Sequence, residues 1–96
     1  MDLVCILSSA CRRKIIEFLS VNGSTNVMQL ILKINAKYPQ VNTELQILQK
    51  EDLIIDQHMG RMRIIRLNKE NPPTGLLLQA LKLLHSNEDK NQQPND

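Results

Sequence analysis

The chain has 96 residues, a formal net charge of +2 and an apolar content of 42%. This length allows one domain, and the apolar content excludes global disorder. The only aromatic residues are Phe18 and Tyr38, which argues against a stacking platform for single-stranded nucleic acid. No apolar run approaches the roughly 20 residues that a membrane span requires and no secretory signal is recognisable, so we expect the chain in the cytoplasm.

The N-terminal part predicts a short apolar turn followed by an amphipathic helix. Residues 3–7 are apolar and favour a separate helical turn. The next helix is expected to begin after Ser9, whose side chain can accept a backbone hydrogen bond, and to end at Asn22 and Gly23 because glycine tolerates a left-handed exit. Its predicted buried face consists of Cys11, Ile15, Phe18 and Leu19.

Two further helices complete a tri-helical unit. Asn26 is the expected cap of the first, and its apolar stripe is Val27, Leu30, Ile31 and Ile34. The other is predicted from about residue 39 to about residue 51, with Val41, Leu45 and Leu48 facing the core. Three short helices joined by brief turns are typical of a helix-turn-helix domain.

The pattern then changes to two runs rich in β-branched residues. Residues 53–57 and 62–67 flank a turn that contains Gly60, which predicts a β-hairpin. A last helix is expected from about residue 74 to residue 85, after the break at Pro72 and Pro73. We therefore predict a domain over residues 1–85 and a disordered polar tail over residues 86–96.

This order of elements resembles that of the ArsR-type regulators of bacteria and archaea. Residues 7–16 are similar to the opening of their first long helix, and residues 41–54 to their recognition helix and its exit into the wing. The resemblance covers residues 3–84 and rests on the pattern of apolar positions. It implies a mainly α fold with a small β-hairpin, a winged helix-turn-helix of order α-α-α-β-β-α, with an extra N-terminal turn and a C-terminal dimerisation helix.

The resemblance also implies a homodimeric transcription regulator that binds double-stranded DNA, most simply as a repressor. The sequence departs from the family at two places. Lys37 and Tyr38 stand where a Ser or Thr cap usually precedes the recognition helix. The third helix has no cysteine and the last has only His85 as a candidate ligand, so we expect neither a metal site nor a cofactor.

The polar face of the third helix is the candidate DNA-reading surface. With the apolar stripe inward, a step of 100° per residue turns amide, hydroxyl and ammonium groups outward, and these groups can contact bases. Arginines near the hairpin turn can contact the minor groove or phosphates, whereas Arg66 is expected to pair with an acid. The predicted DNA-binding residues are Tyr38, Gln40, Asn42, Thr43, Gln46, Lys50, Arg61 and Arg63.

The last helix carries two apolar stripes. One stripe is enough for the helix to pack on the core of its own chain, so the second has no partner there. A second stripe on a terminal helix favours contact with another copy of the chain. The predicted dimer interface consists of Leu3, Leu7, Leu76, Leu77, Ala80, Leu83 and Leu84.

Several alternatives stay open at this stage. The cations at residues 12–14 could contact phosphate or form an ion pair with Glu17 or another acid. Cys5 and Cys11 could be small buried hydrophobic residues or a redox switch near the interface. An acidic balance over residues 40–56 keeps a second function open, a winged-helix module that binds another protein. An enzyme is not expected, because no glycine-rich phosphate loop, nucleophile elbow or paired-carboxylate site is recognisable.

Overall fold

The computed structural model describes the backbone of residues 3–92 and the side chains of residues 3–84. Within these ranges it contains five helices and three strands. The helices are α1 (Leu3–Leu7), α2 (Ala10–Asn22), α3 (Val27–Ile34), α4 (Tyr38–Lys50) and α5 (Pro72–Gln92). The strands are β1 (Ser24–Asn26), β2 (Ile54–Met59) and β3 (Met62–Leu67). None of the described helices combines the length and apolar character needed to cross a bilayer.

The predicted helix caps are confirmed by their hydrogen bonds. The Ser9 hydroxyl accepts from the backbone N–H of Arg12 at 3.2 Å, and α2 ends at Gly23, whose φ is 81°. The Asn26 side chain accepts from the N–H of Gln29 at 2.8 Å and begins α3. These side chains satisfy backbone groups that have no partner inside the helix.

The strands form an antiparallel sheet in the order β1-β3-β2. The hairpin of β2 and β3 confirms the prediction, and its two-residue turn begins at Gly60 with a φ of 63°. Strand β1 was not predicted. It is three residues long and pairs with the middle of β3, Thr25 opposite Ile65, so its conformation depends on a partner forty residues away in the chain rather than on a local pattern.

Helix α2 is the centre of the core, because it contacts every other helix and strands β1 and β3. The predicted stripe of α4 is entirely buried, with Val41, Leu45 and Leu48 at 0% exposure. On α2 the expected face is wrong in one position: Ile16 is fully buried and Phe18 only partly. A central helix with neighbours on several sides buries a wider arc than the single stripe that periodicity predicts.

Helix α5 is longer than the predicted 74–85. It begins at Pro72 and its backbone continues to Gln92, because no glycine or proline interrupts residues 76–92. Residues 86–92 of the predicted polar tail are thus helical in their backbone. Residues 93–96, the rest of the predicted tail, lie outside the described part of the chain, as does the side chain of His85.

Candidate nucleic-acid interface

Helix α4 presents a polar face to solvent. The exposed side chains of this face are Gln40, Thr43, Gln46 and Lys50, opposite the buried stripe. The Thr43 hydroxyl donates to the carbonyl of Pro39 at 3.0 Å, so its oxygen and its methyl group remain for an outside partner. The four side chains offer amide, hydroxyl and ammonium groups, which suit hydrogen bonding to base edges.

One flank of α4 is joined to α2 by an ion pair. The Arg12 Nε donates to a Glu44 oxygen at 2.5 Å, and both side chains are 13% exposed. The same guanidinium donates to the carbonyl of Cys5 at 2.6 Å and so includes α1 in the contact. Burial alone lowers the pKa of Arg12, but the hydrogen bond and the charge of Glu44 outweigh burial and the pKa is raised. Of the two alternatives for Arg12, the ion pair is therefore the one observed.

The other flank of α4 is joined to the hairpin by Arg63. The Arg63 Nε donates to both Asp56 oxygens at 3.0 and 2.8 Å, and Nη2 donates to one of them at 2.5 Å. Its Nη1 donates to Oδ1 of Asn42 at 2.8 Å and makes a longer contact of 3.5 Å with the hydroxyl of Tyr38. The hydrogen bonds to Asp56 raise the pKa of Arg63, and its guanidinium stays charged.

The register of the hairpin explains this ion pair. Asp56 lies opposite Ile65, and Arg63 lies opposite His58, so both charged residues share the face of the sheet that carries the buried Ile54. The side chain of Asp56 is 3% exposed and that of Arg63 is 17% exposed. Arg66 lies on the opposite face, as predicted, but among the described residues the ion pair with an acid is made by Arg63 instead.

A signal for this pair is present in the sequence. Asp56 follows the apolar Ile54 by two residues, and Arg63 precedes the apolar Ile65 by two residues. Strict alternation in a strand therefore turns both charges toward the helices, where each needs a partner of opposite sign. The prediction that Arg63 contacts DNA did not take this alternation into account.

The C-terminal end of α4 is fixed by two amides from the segment after β3. The side-chain nitrogens of Asn68 and Asn71 donate to the carbonyl of Asp52 at 3.1 and 2.9 Å. Asp52 itself has a φ of 58°, the left-handed conformation with which helices often end. Helix α4 is thus held by its buried apolar stripe, by hydrogen bonds along both flanks and by the asparagine amides at its C-terminal end.

The ion pairs also change the charge seen by a partner. Two of the four acids within residues 40–56, Glu44 and Asp56, are paired with arginines and largely buried. Lys50 on α4 and Arg61 at the hairpin turn are exposed. The outward surface is therefore less acidic than the composition of residues 40–56 indicates.

A cleft of about 520 Å³ lies between the hairpin and the beginnings of α3 and α4. Met28 and Met62 are 64% and 53% exposed on its walls. Its other lining residues are Asn26, Val27, Tyr38, His58, Arg61 and Arg63. Three predicted DNA-binding residues, Tyr38, Arg61 and Arg63, thus line this cleft. Tyr38 and Arg63 also join the hydrogen-bond network, whereas the side chain of Arg61 is exposed.

The predicted dimer interface is only partly on the surface. Leu76, Leu83 and Leu84 are 56%, 67% and 40% exposed. Leu3, Leu7 and Ala80 are partly buried. Leu77 is 0% exposed and belongs to the core of its own chain, so its place in the predicted dimer interface is wrong.

The two cysteines differ from each other. Cys11 is 9% exposed and is a small buried residue, whereas Cys5 is exposed, so the first of the two alternatives holds for Cys11 only. Burial raises the pKa of the Cys11 thiol, and the nearby Glu44 carboxylate raises it further. Among the side chains at residues 3–84, no group of three His, Cys, Asp or Glu residues could hold a metal ion.

Comparison with solved structures identifies the fold. The AntR antimony-specific transcriptional repressor superposes with a TM-score of 0.77 and 24% identity, over 95% of this chain and 78% of that one. An ArsR family transcriptional regulator, RHA00566, matches with a TM-score of 0.65 and 20% identity, over 96% and 90% of the two chains. The homodimeric winged helix-turn-helix DNA-binding domain of Mb0332 from Mycobacterium bovis, a possible ArsR-family regulator, matches with a TM-score of 0.70 and 15% identity, over 98% and 82%.

No family model matches the sequence, and no curated protein matches it. The chain nevertheless has the winged helix-turn-helix fold of these regulators, with α3 and α4 as the helix-turn-helix and the β2–β3 hairpin as the wing. The fold expected from the ArsR resemblance is confirmed.

Proposed function

We propose that this chain is a sequence-specific, double-stranded DNA-binding transcription regulator that works as a homodimer and represses transcription. The observation that carries the proposal is the state of α4: its apolar stripe is wholly buried, both flanks and its end are tied down, and its polar face is exposed. A helix held in this way can enter a major groove without losing its position on the domain.

Specific contacts are assigned to the exposed face of α4. The Gln46 amide can pair bidentately with adenine, and the methyl group of Thr43 can contact a thymine methyl. Lys50 and Gln40 can bind the backbone or a base edge. Arg61, exposed at the turn of the wing, is the candidate for the minor groove or a phosphate.

The dimer part of the proposal rests on α1 and α5. Leu76 and Leu83 expose apolar area that the chain does not cover itself, and the solved Mb0332 domain is homodimeric. Two copies would place their α4 helices in successive major grooves about 34 Å apart, which makes a palindromic operator the expected target. Repression by exclusion of polymerase is the simplest outcome, and AntR is itself a repressor. Such a regulator would act in the cytoplasm.

The test is selection of bound fragments from a random pool of duplexes, followed by titration of the selected duplex at several salt concentrations. The affinity should fall steeply with salt, because bound phosphates release counterions. Gln46→Ala should change the selected sequence, whereas Glu70→Ala, in the exposed segment after β3, should leave it unchanged. Failure to bind any duplex at low salt would contradict the proposal.

The second candidate function is a winged-helix module that binds another protein. The specific observation in its favour is the cleft beside the wing, where Met28 and Met62 expose apolar side chains on both walls. The two functions separate in the selection experiment, because a protein-binding module has no reason to enrich one duplex sequence. Substitution of Met28 by Ala would then weaken capture of a protein and leave duplex binding intact.

A further inference from the structure

We propose that Arg63 is a positioning residue that joins the wing to α4, and that Asn42 is its acceptor on the helix rather than a base-reading residue. This inference rests on the proposed function, since it assigns roles within the same DNA-binding surface. It replaces the expectation that Arg63 binds a phosphate and that Asn42 reads a base.

The first step of the argument is the donor count. The three guanidinium nitrogens of Arg63 all donate inside the protein, two of them to Asp56 on β2 and Nη1 to Asn42 on α4. The Arg63 side chain is 17% exposed and its charge is compensated by a carboxylate that is 3% exposed. A phosphate would have to compete with a bidentate carboxylate for this group, which makes the arginine a poor counterion for DNA.

The second step concerns Asn42. Bidentate recognition of adenine needs both the oxygen and the nitrogen of the amide. Oδ1 of Asn42 accepts from Arg63 at 2.8 Å, and the residue lies on the flank of α4 that faces the wing. Its geometry suits a fixed joint between two elements. Gln46, one turn further along and exposed, has both amide groups available to solvent among the described contacts.

The third step is mechanical. A two-stranded wing extends beyond the core, and its buried apolar residues, Ile54, Ile65 and Leu67, lie in the half away from the turn. Only the Arg63 network ties the half nearer the turn to α4 among the described hydrogen bonds between these elements. With the network in place, the wing and the helix approach DNA as one rigid unit, and binding does not have to order the wing.

The experiment compares Arg63→Lys with Arg61→Met and with the control Arg66→Lys, measuring affinity for the selected duplex as a function of salt. Lysine keeps the charge but not the planar fork. A phosphate contact would survive Arg63→Lys, whereas the joint would not. We expect Arg63→Lys to lower affinity about tenfold with an unchanged salt slope, Arg61→Met to reduce the slope by about 0.9 per protomer, and Arg66→Lys, on the opposite face of β3, to change neither.

The second measurement tests the acceptor. Asn42→Ala should lower affinity by the same factor as Arg63→Lys, the double variant should be no weaker than either one, and the selected sequence should stay the same. Near wild-type affinity for Arg63→Lys, or a sequence preference altered by Asn42→Ala, would overturn the inference.

A third measurement separates this inference from the function itself. If the wild-type protein binds no duplex, the proposed function fails, and the joint is then tested without DNA by hydrogen exchange of the wing amides. Arg63→Lys and Asn42→Ala should each speed exchange in residues 57–64 and should not be additive. Unchanged exchange in both variants would reject the joint as well.

Discussion

Among single residues, most of the buried polar side chains in the described part of the chain have a hydrogen-bond or ion-pair partner, and one has none. Arg63 and Asp56 bury opposite charges together, and Arg12 and Glu44 do the same on the other side of α4. Removing one partner of such a pair typically lowers the free energy of unfolding by about 3–5 kcal/mol, because the other charge stays buried without compensation. The two pairs therefore hold α4 in position, and removing either partner of a pair removes the whole interaction.

Thr74 is the exception, because its hydroxyl is buried at 0% exposure without a hydrogen-bond partner among the described residues. Thr74→Val keeps the shape and removes the unsatisfied oxygen, so the free energy of unfolding should rise by about 1 kcal/mol. Denaturant unfolding followed by circular dichroism measures this change.

The matched control for Thr74 is Thr25, which is 5% exposed but has its hydroxyl 3.1 Å from the carbonyl of Asn26. Thr25→Val removes a hydrogen bond and should lower the free energy of unfolding by about 1 kcal/mol. Equal effects of the two substitutions would show that the Thr74 hydroxyl has a partner after all.

Among the elements, α4 is well anchored everywhere except at its N-terminal cap. Lys37 stands at the cap position with φ −101° and ψ 149°, and no side-chain hydrogen bond satisfies the first backbone N–H groups. The extended backbone of a helix cap is thus present without a capping side chain. A lysine at this end also faces the positive pole of the helix dipole.

Replacing Lys37 by Asp should therefore stabilise the protein. The carboxylate can accept from the N–H of Gln40, the third residue of α4, because Pro39 in the second position has no N–H. It also complements the dipole, and the two effects together are worth about 1 kcal/mol. The melting temperature of Lys37→Asp should rise, whereas Lys69→Asp, an exposed lysine in the segment after β3, should leave it nearly unchanged. A melting temperature that does not rise would show that Lys37 already satisfies the helix end in another way.

At the scale of the whole molecule, the domain exposes apolar side chains on the helices at its two ends. Val4 on α1 is 78% exposed, and Leu83 on α5 is 67% exposed. A 96-residue domain has a small core, and covering such area by a second copy adds burial that the single chain lacks.

The corresponding prediction is that Leu83→Glu produces a monomer. A carboxylate at the centre of an apolar interface loses its hydration without gaining a partner, and the dimer dissociation constant should rise at least about a hundredfold. Sedimentation equilibrium over a range of protein concentrations measures this change. Leu32→Glu, with Leu32 77% exposed on α3, is the control and should leave the association unchanged. A wild-type protein that sediments as a monomer throughout would contradict the predicted dimer.

Features that depend on residues close together in the chain follow from local pattern alone: helices α1 to α4, the caps at Ser9 and Asn26, and the wing turn at Gly60. The exposed face that carries Gln46 follows in the same way. The pairing of β1 with β3, the burial of Ile16 and Leu77, and the contact of Arg63 with Asn42 follow only from the assembled fold. These features join residues that are distant in sequence, and their energies depend on which surfaces the fold brings together.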